Sequence, residues 1–135
     1  MKPNDVLFNI TGASLGRVAC TPPNLVEANV NQHVSIIRPI ETLNPCYLMY
    51  WLSRPLVQNM INKMQKGATR QALTKAQIES FEVPIPLLHE QIRIVAYLDF
   101  LQEKVNELKK LQQETEKEIK ELVPSILDQA FRGKL

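Results

Sequence analysis

Cysteine is scarce in this chain, and its scarcity is informative. With only Cys20 and Cys46 among 135 residues, there is no disulfide framework and no pair of CxxC elements to hold zinc. The expected compartment is a reducing cytoplasm. Long apolar runs are missing too. No stretch reaches the roughly 18 consecutive apolar residues of a transmembrane helix. The opening residues, Met1-Lys2-Pro3-Asn4-Asp5, lead into an apolar run of only about five residues, without the h-region or cleavage site of a signal peptide. No membrane partner is expected.

A strong charge of one sign is also absent, since the net charge is +2. Its distribution says more than its size. Residues 1–86 carry eight Lys and Arg against five acids, and residues 87–135 carry eight against nine. The basic excess therefore sits in the first segment, and the second has the balanced charges of a solvated helix. Such an excess is compatible with nucleic acid without establishing it.

Catalytic constellations are lacking as well. Gly12 and Gly16 are followed by Arg17-Val18, not by the Lys-Ser/Thr of a phosphate-binding loop. His33 and His89 lie far apart with no Cys, Asp or Glu at ligand spacing, so no metal is expected. Glu114, Glu116, Glu118 and Glu121 are spread around one helix, which reads as a solvated face. No nucleotide-cofactor glycine motif, clustered metal carboxylates or nucleophile–base pair appears. The sequence predicts no cofactor and no catalytic residue.

What is present begins with short strands. Val6–Ile10 is a compact apolar run, Thr11–Gly16 a turn with two glycines, and Arg17–Cys20 a returning hairpin partner. After the break at Thr21-Pro22-Pro23-Asn24, His33–Arg38 alternates as a half-buried strand closed by Pro39. Asn44-Pro45 reads as an N-cap with proline at the first helical position, and Leu48, Met49, Trp51 and Leu52 follow at helical spacing. A second helix is predicted from Pro55 to Lys66, with Leu56, Val57, Met60, Ile61 and Met64 on one face and Gly67 ending it. Thr74-Lys75-Ala76-Gln77 fits a capping box, and Phe81–Pro86 is extended.

From Leu87 to Val123 there is neither proline nor glycine. As one helix this stretch runs about 55 Å at 1.5 Å per residue. Ile94, Leu98, Leu101, Val105, Leu108, Gln112, Thr115, Ile119 and Leu122 alternate four- and three-residue steps, the seam of a heptad coiled coil. So small a domain cannot bury that stripe along its length, and a partner helix is required. Gln112 and Thr115 interrupt the seam for one layer. That layer is either a weak spot or a polar pair fixing register, and a local shift of seam would instead bury Leu111. Pro124 is expected to end or kink the helix, with a short second helix over Ser125–Phe131.

Four stretches, in order, resemble the specificity subunit of Type I restriction–modification systems. The first is Asp5-Val6-Leu7-Phe8 with Gly12, Gly16-Arg17 and Asn29-Val30-Asn31-Gln32-His33-Val34. The second is Gly67-Ala68-Thr69-Arg70-Gln71-Ala72-Leu73-Thr74. The third is Val83-Pro84-Ile85-Pro86 through Glu90-Gln91, Ile94-Val95 and Leu98-Asp99. The last is Pro124-Ser125-Ile126-Leu127 with Ala130-Phe131 and Gly133-Lys134-Leu135. Where the family often has a double proline before Glu-Gln, this chain has Pro86-Leu87-Leu88, which moves the helix start by a residue or two.

The resemblance implies a non-catalytic, DNA-reading module that works with methyltransferase and restriction subunits. In that family two recognition domains each read half of a bipartite site, and conserved helices pair to space them. It further implies that the first segment is a partial recognition domain, because the family places several dozen residues before the strand matched by Val6–Ile10. The expected fold is α+β: a partial, small mixed α/β recognition-type domain over residues 1–86, a long coiled-coil helix over 87–123, and a short terminal helix and tail over 124–135. An isolated chain is expected to form a homodimer through the long helix. The competing reading is a coiled-coil scaffold without DNA-binding activity.

Candidate contacts to double-stranded DNA follow from the chemistry each surface of DNA demands. Phosphates take Lys, Arg, hydroxyls and free backbone N–H groups, and base edges take Arg, Asn or Gln. Lys66, Thr69, Arg70 and Gln71 supply both kinds around Gly67, although the same stretch also reads as a helix-terminating turn. Asn29, Asn31 and Gln32, beside His33, suit adenine but are equally turn residues. Arg17 stands beside a glycine loop that is either a phosphate cradle or a plain hairpin turn. Tyr47, Tyr50 and Trp51 read as core and helix-surface aromatics.

Overall fold

A computed structural model describes residues 1–65 and 72–133 of the chain. The chain divides into two compact units, Met1–Val95 and Ala96–Leu135.

The first unit is built on an antiparallel sheet of three strands, β1 (Val6–Asn9), β2 (Val18–Cys20) and β3 (Val34–Ile37), in the order β2-β1-β3. The apolar residues of β1 explain its central place. Val6 and Phe8 point to one face and are fully buried, as the two-residue period of a strand requires. Val6 lies opposite Cys20 and Ile37, and Phe8 lies opposite Val18 and Ser35.

Two helices cover that face. Helix α1 (Pro45–Leu52) starts as its sequence dictates: Asn44 Oδ1 accepts the Tyr47 N–H at 3.1 Å, and Pro45 fills a first-turn position that needs no donor. Leu48 and Leu52, one turn apart, enter the core with Val57 and Ile61 of α2 (Pro55–Gln65) and with Leu73. Phe81 closes the cluster, edge-on to Phe8 at 6.5 Å and tilted against Trp51 at 6.4 Å.

The face expected for α2 is narrower than its apolar residues suggest. Val57 and Ile61 are buried and Met64 is half-buried, but Leu56 is 63% exposed and Met60 40%. Leu56 and Met60 form the neighbouring i,i+4 row, which turns away from a core only one row wide. The short helix α3 (Lys75–Glu79) carries the expected capping box: Thr74 Oγ1 accepts the Gln77 N–H, and Gln77 Oε1 accepts the Thr74 N–H at 2.9 Å.

The long helix α4 runs from Leu88 to Phe131, 44 residues and about 66 Å at 1.5 Å per residue. Here one expectation is corrected. There is no separate terminal helix after Pro124, because the proline lies inside α4. At about 100° per residue, Pro124 falls nearly opposite the Ile119–Leu122 seam. The hydrogen bond that proline cannot make belongs to the carbonyl of Lys120. Lys120 is exposed, so water can satisfy that carbonyl. The three–four spacing then continues past the proline to Ile126.

Every described residue from Asp99 to Gly133 is exposed in the single chain. The seam is uncovered along that length, with Leu108 at 60% and Ile119 at 58%. The charged residues between seam positions pair along the helix. Lys104 meets Glu107 at 2.9 Å, while Lys110–Glu114 and Lys117–Glu121 stand at 3.9 Å. Exposed pairs of this kind contribute a few tenths of a kcal/mol each, about enough to favour the helix and too little to hold a fold.

Candidate nucleic-acid interface

The sheet brings sequence-distant polar groups to one end. As β1 finishes, the Asn9 N–H donates to the Arg17 carbonyl on one side at 2.8 Å. The Ile10 N–H donates to the His33 carbonyl on the other, also at 2.8 Å. Arg17 and His33 therefore flank β1 two strand spacings apart, about 10 Å. Both are exposed.

The loop before Arg17 is a single 3-10 turn, Gly12–Ser14, closed by the Gly16 N–H donating to the Asn9 carbonyl at 2.9 Å. A side chain at Gly16 would be strained. Its φ is +83°, and an added Cβ would stand 2.5 Å from Gln58 Oε1. Gln58 Nε2 donates to both the Gly16 and Leu52 carbonyls, which fastens this loop to the α1–α2 turn. The loop beside Arg17 is thus anchored from below.

On the β3 side, Asn31 performs the turn role. Its Oδ1 accepts the His33 N–H at 3.0 Å, and its carbonyl accepts the Val34 N–H. The His33 ring is held by Thr11, whose Oγ1 meets His33 Nδ1. Asn29 and Gln32 are exposed in the same connection. Lys66, Thr69, Arg70 and Gln71 lie outside the described residues, but the chain on either side of them is placed. The Leu73 N–H donates to the Ile10 carbonyl at 2.9 Å, Ala72 bridges Thr11, and Gln65 Nε2 donates to the Ala72 carbonyl. One end of the sheet so gathers Arg17, Asn31, His33 and both flanks of the 66–71 stretch.

The opposite end holds a different arrangement. Asp5, only 1% exposed, accepts from Arg38 Nε and Nη2 at 2.8 Å each and from the Lys2 N–H at 2.6 Å. The Arg38 hydrogen bonds, more than the opposing cost of burial, hold the Asp5 carboxyl below the usual carboxylate range. Arg38 is therefore a structural cation. Burial first, then the neighbouring Cys46 thiol, pushes the Cys20 thiol up to about 12. Among the described residues no three of His, Cys, Asp and Glu stand close enough to hold a metal ion. No described helix is long and apolar enough to cross a membrane.

Gln91 has no role assigned from sequence alone, yet the fold gives it one. It is fully buried and makes three hydrogen bonds. The signal was available, since Gln91 falls three residues before Ile94 in the seam, a polar side chain where the repeat asks for an apolar one.

A three-stranded α+β domain with polar loops gathered at one sheet end, in a chain that also carries a long amphipathic helix, describes a class of binding module. The comparisons identify which. Residues 1–120 match the family of the Type I restriction modification DNA specificity domain, and the chain belongs to it. It is 29% identical over 136 residues to the Type I restriction enzyme EcoBI specificity subunit of Escherichia coli, covering all of this chain and 28% of that protein. Among solved structures it resembles a chain from a study of complex assembly and conformational transition in a type I R-M system, with TM-score 0.81 and 35% identity, over 100% of this chain and 32% of the other. It also resembles the HsdS subunit from Thermoanaerobacter tengcongensis, with TM-score 0.61 and 33% identity, over 100% and 31%. The chain thus spans about a third of the length of the relatives it matches.

Proposed function

We propose that this chain is a DNA sequence-recognition module of a Type I restriction–modification complex, acting in the cytoplasm without catalytic residues of its own. The observation that carries the reading is the gathering of Arg17, Asn31, His33 and both flanks of the 66–71 stretch at one sheet end, in a chain of this family. Arg17, with Lys66, Thr69 and Arg70, serves the phosphates; Asn29, Asn31, Gln32 and Gln71 serve base edges. Asn31 reaches bases through its amide nitrogen, because its oxygen is engaged in the turn. The seam from Ile94 to Leu122 pairs with a second helix, and its exposure from Leu101 onward in the single chain supports this. The hydroxyl of Thr115 donates to the Leu111 carbonyl, which leaves Gln112 as the polar side chain that fixes register. Methyltransferase and restriction subunits complete the complex.

An electrophoretic shift assay with mixed-sequence duplex tests the recognition role. Binding is expected at about 50 mM salt and is expected to weaken steeply by about 200 mM, as counterion release demands. Arg17→Ala is expected to lower the salt slope by about one. No shifted band at low salt would sink the reading.

A further inference from the structure

Gln91 lies one turn into α4, within the first unit, at 0% exposure. Its amide is fully committed. Oε1 accepts the backbone N–H of Asn44 at 2.8 Å, and Nε2 donates to the carbonyls of Thr42 at 2.9 Å and Pro86 at 2.8 Å. The orientation of the amide is unambiguous, since a backbone N–H needs the oxygen and two carbonyls need the nitrogen. Asn44 is itself the N-cap of α1, and Tyr47 of that helix donates its hydroxyl to the Pro84 carbonyl at 3.0 Å. A closed ring of hydrogen bonds so joins the start of α1, the extended Pro84–Pro86 stretch and the first turn of α4. An apolar side chain of the same size would fill the space and leave one buried N–H and two carbonyls without partners, the expensive outcome.

We propose that Gln91 is a positioning residue: it makes the first turns of α4 one body with the domain, and thereby sets the separation at which two such modules read DNA. The second clause rests on the recognition and pairing reading above; the first does not. Gln91 touches no DNA, and it acts through Asn44 and the 84–86 backbone.

Two measurements on the full chain, wild type against Gln91→Met and Gln91→Glu, test it. Glutamate keeps an acceptor for Asn44 but turns an oxygen toward the two carbonyls. The first measurement is backbone amide hydrogen exchange. Both variants are expected to speed exchange at the Asn44 amide and across Gln91–Val95 by about tenfold or more, with Val6 and Phe8 in β1 unchanged. Unchanged exchange at Asn44, or equal loss across β1, overturns the proposal, the latter by making Gln91 an ordinary core residue. The second uses a duplex selected from a random library by the wild-type chain and rebuilt with its central spacer lengthened one base pair at a time. The wild type is expected to favour one spacer by about tenfold or more. Gln91→Met is expected to bind all spacers within about threefold, with unchanged affinity for a single half-site. A sharp spacer preference retained in the variant overturns the spacing role. A wild-type chain that binds no DNA defeats the recognition reading and the spacing clause with it, while the exchange measurement still decides the clamp.

Discussion

Asp5 shows how much a single buried charge depends on its partners. Its carboxylate is enclosed, and three hydrogen bonds replace the water it gave up. Because its folded pKa is depressed, the stabilisation is full above the ordinary value near 3.8 and is lost as pH falls through the folded value. Urea unfolding of the wild type and of Asp5→Asn is therefore expected to differ most above about pH 5, the gap closing below about pH 4. Screening at the half-exposed Arg38 keeps the titrating part modest. A gap that does not change with pH would remove the ion pair as its source. The pair was not legible in the sequence. Asp5 and Arg38 are 33 residues apart and meet only because Val6 stands opposite Ile37. Register of that kind depends on which side of β1 the third strand occupies, and no local pattern encodes it.

At the scale of elements, what was legible is what closes locally. The Asn44 cap and the Thr74–Gln77 capping box each satisfy their donors within four residues, so sequence alone locates them. The end of α4 was not legible, because the effect of a proline depends on where its missing bond falls. Pro124 sits opposite the seam on a solvated face, and the helix passes through it. Pro124→Ala is expected to stabilise α4 by up to about 3 kcal/mol, raising helical ellipticity and its melting temperature. A fall in either would mean that proline at this position is needed for pairing. The buried row of α2 was half-legible. Its period announced a helix, but the choice between the Val57–Ile61 and Leu56–Met60 rows came from the width of the core above it.

For the molecule as a whole, the unburied seam of α4 makes the strongest demand. A chain with exposed Leu101, Val105, Leu108 and Ile119 at heptad spacing is expected to sediment as a dimer at tens of micromolar, about the range where weak coiled coils pair. Leu108→Asp is expected to shift it to monomer without unfolding the sheet domain. A wild-type monomer at that concentration would count against self-pairing. The seam was readable because a heptad needs only one helix to display it. The candidate interface was readable only as scattered residues, since Arg17 and His33 are brought to one sheet end by β1, which lies between them.

The sheet order β2-β1-β3 carries one more consequence. Both outer strands are short, and among the described residues each is paired on one side only. Their outer rims are templates on which further strands can grow, and Ile36 adds an exposed apolar side chain on the sheet face beside one of them. A core assembled on one face of β1 leaves those rims open, so the sheet can be widened sideways without being rebuilt. The same openness is a hazard in the test tube, where rim-to-rim association competes with helix pairing whenever the chain is concentrated.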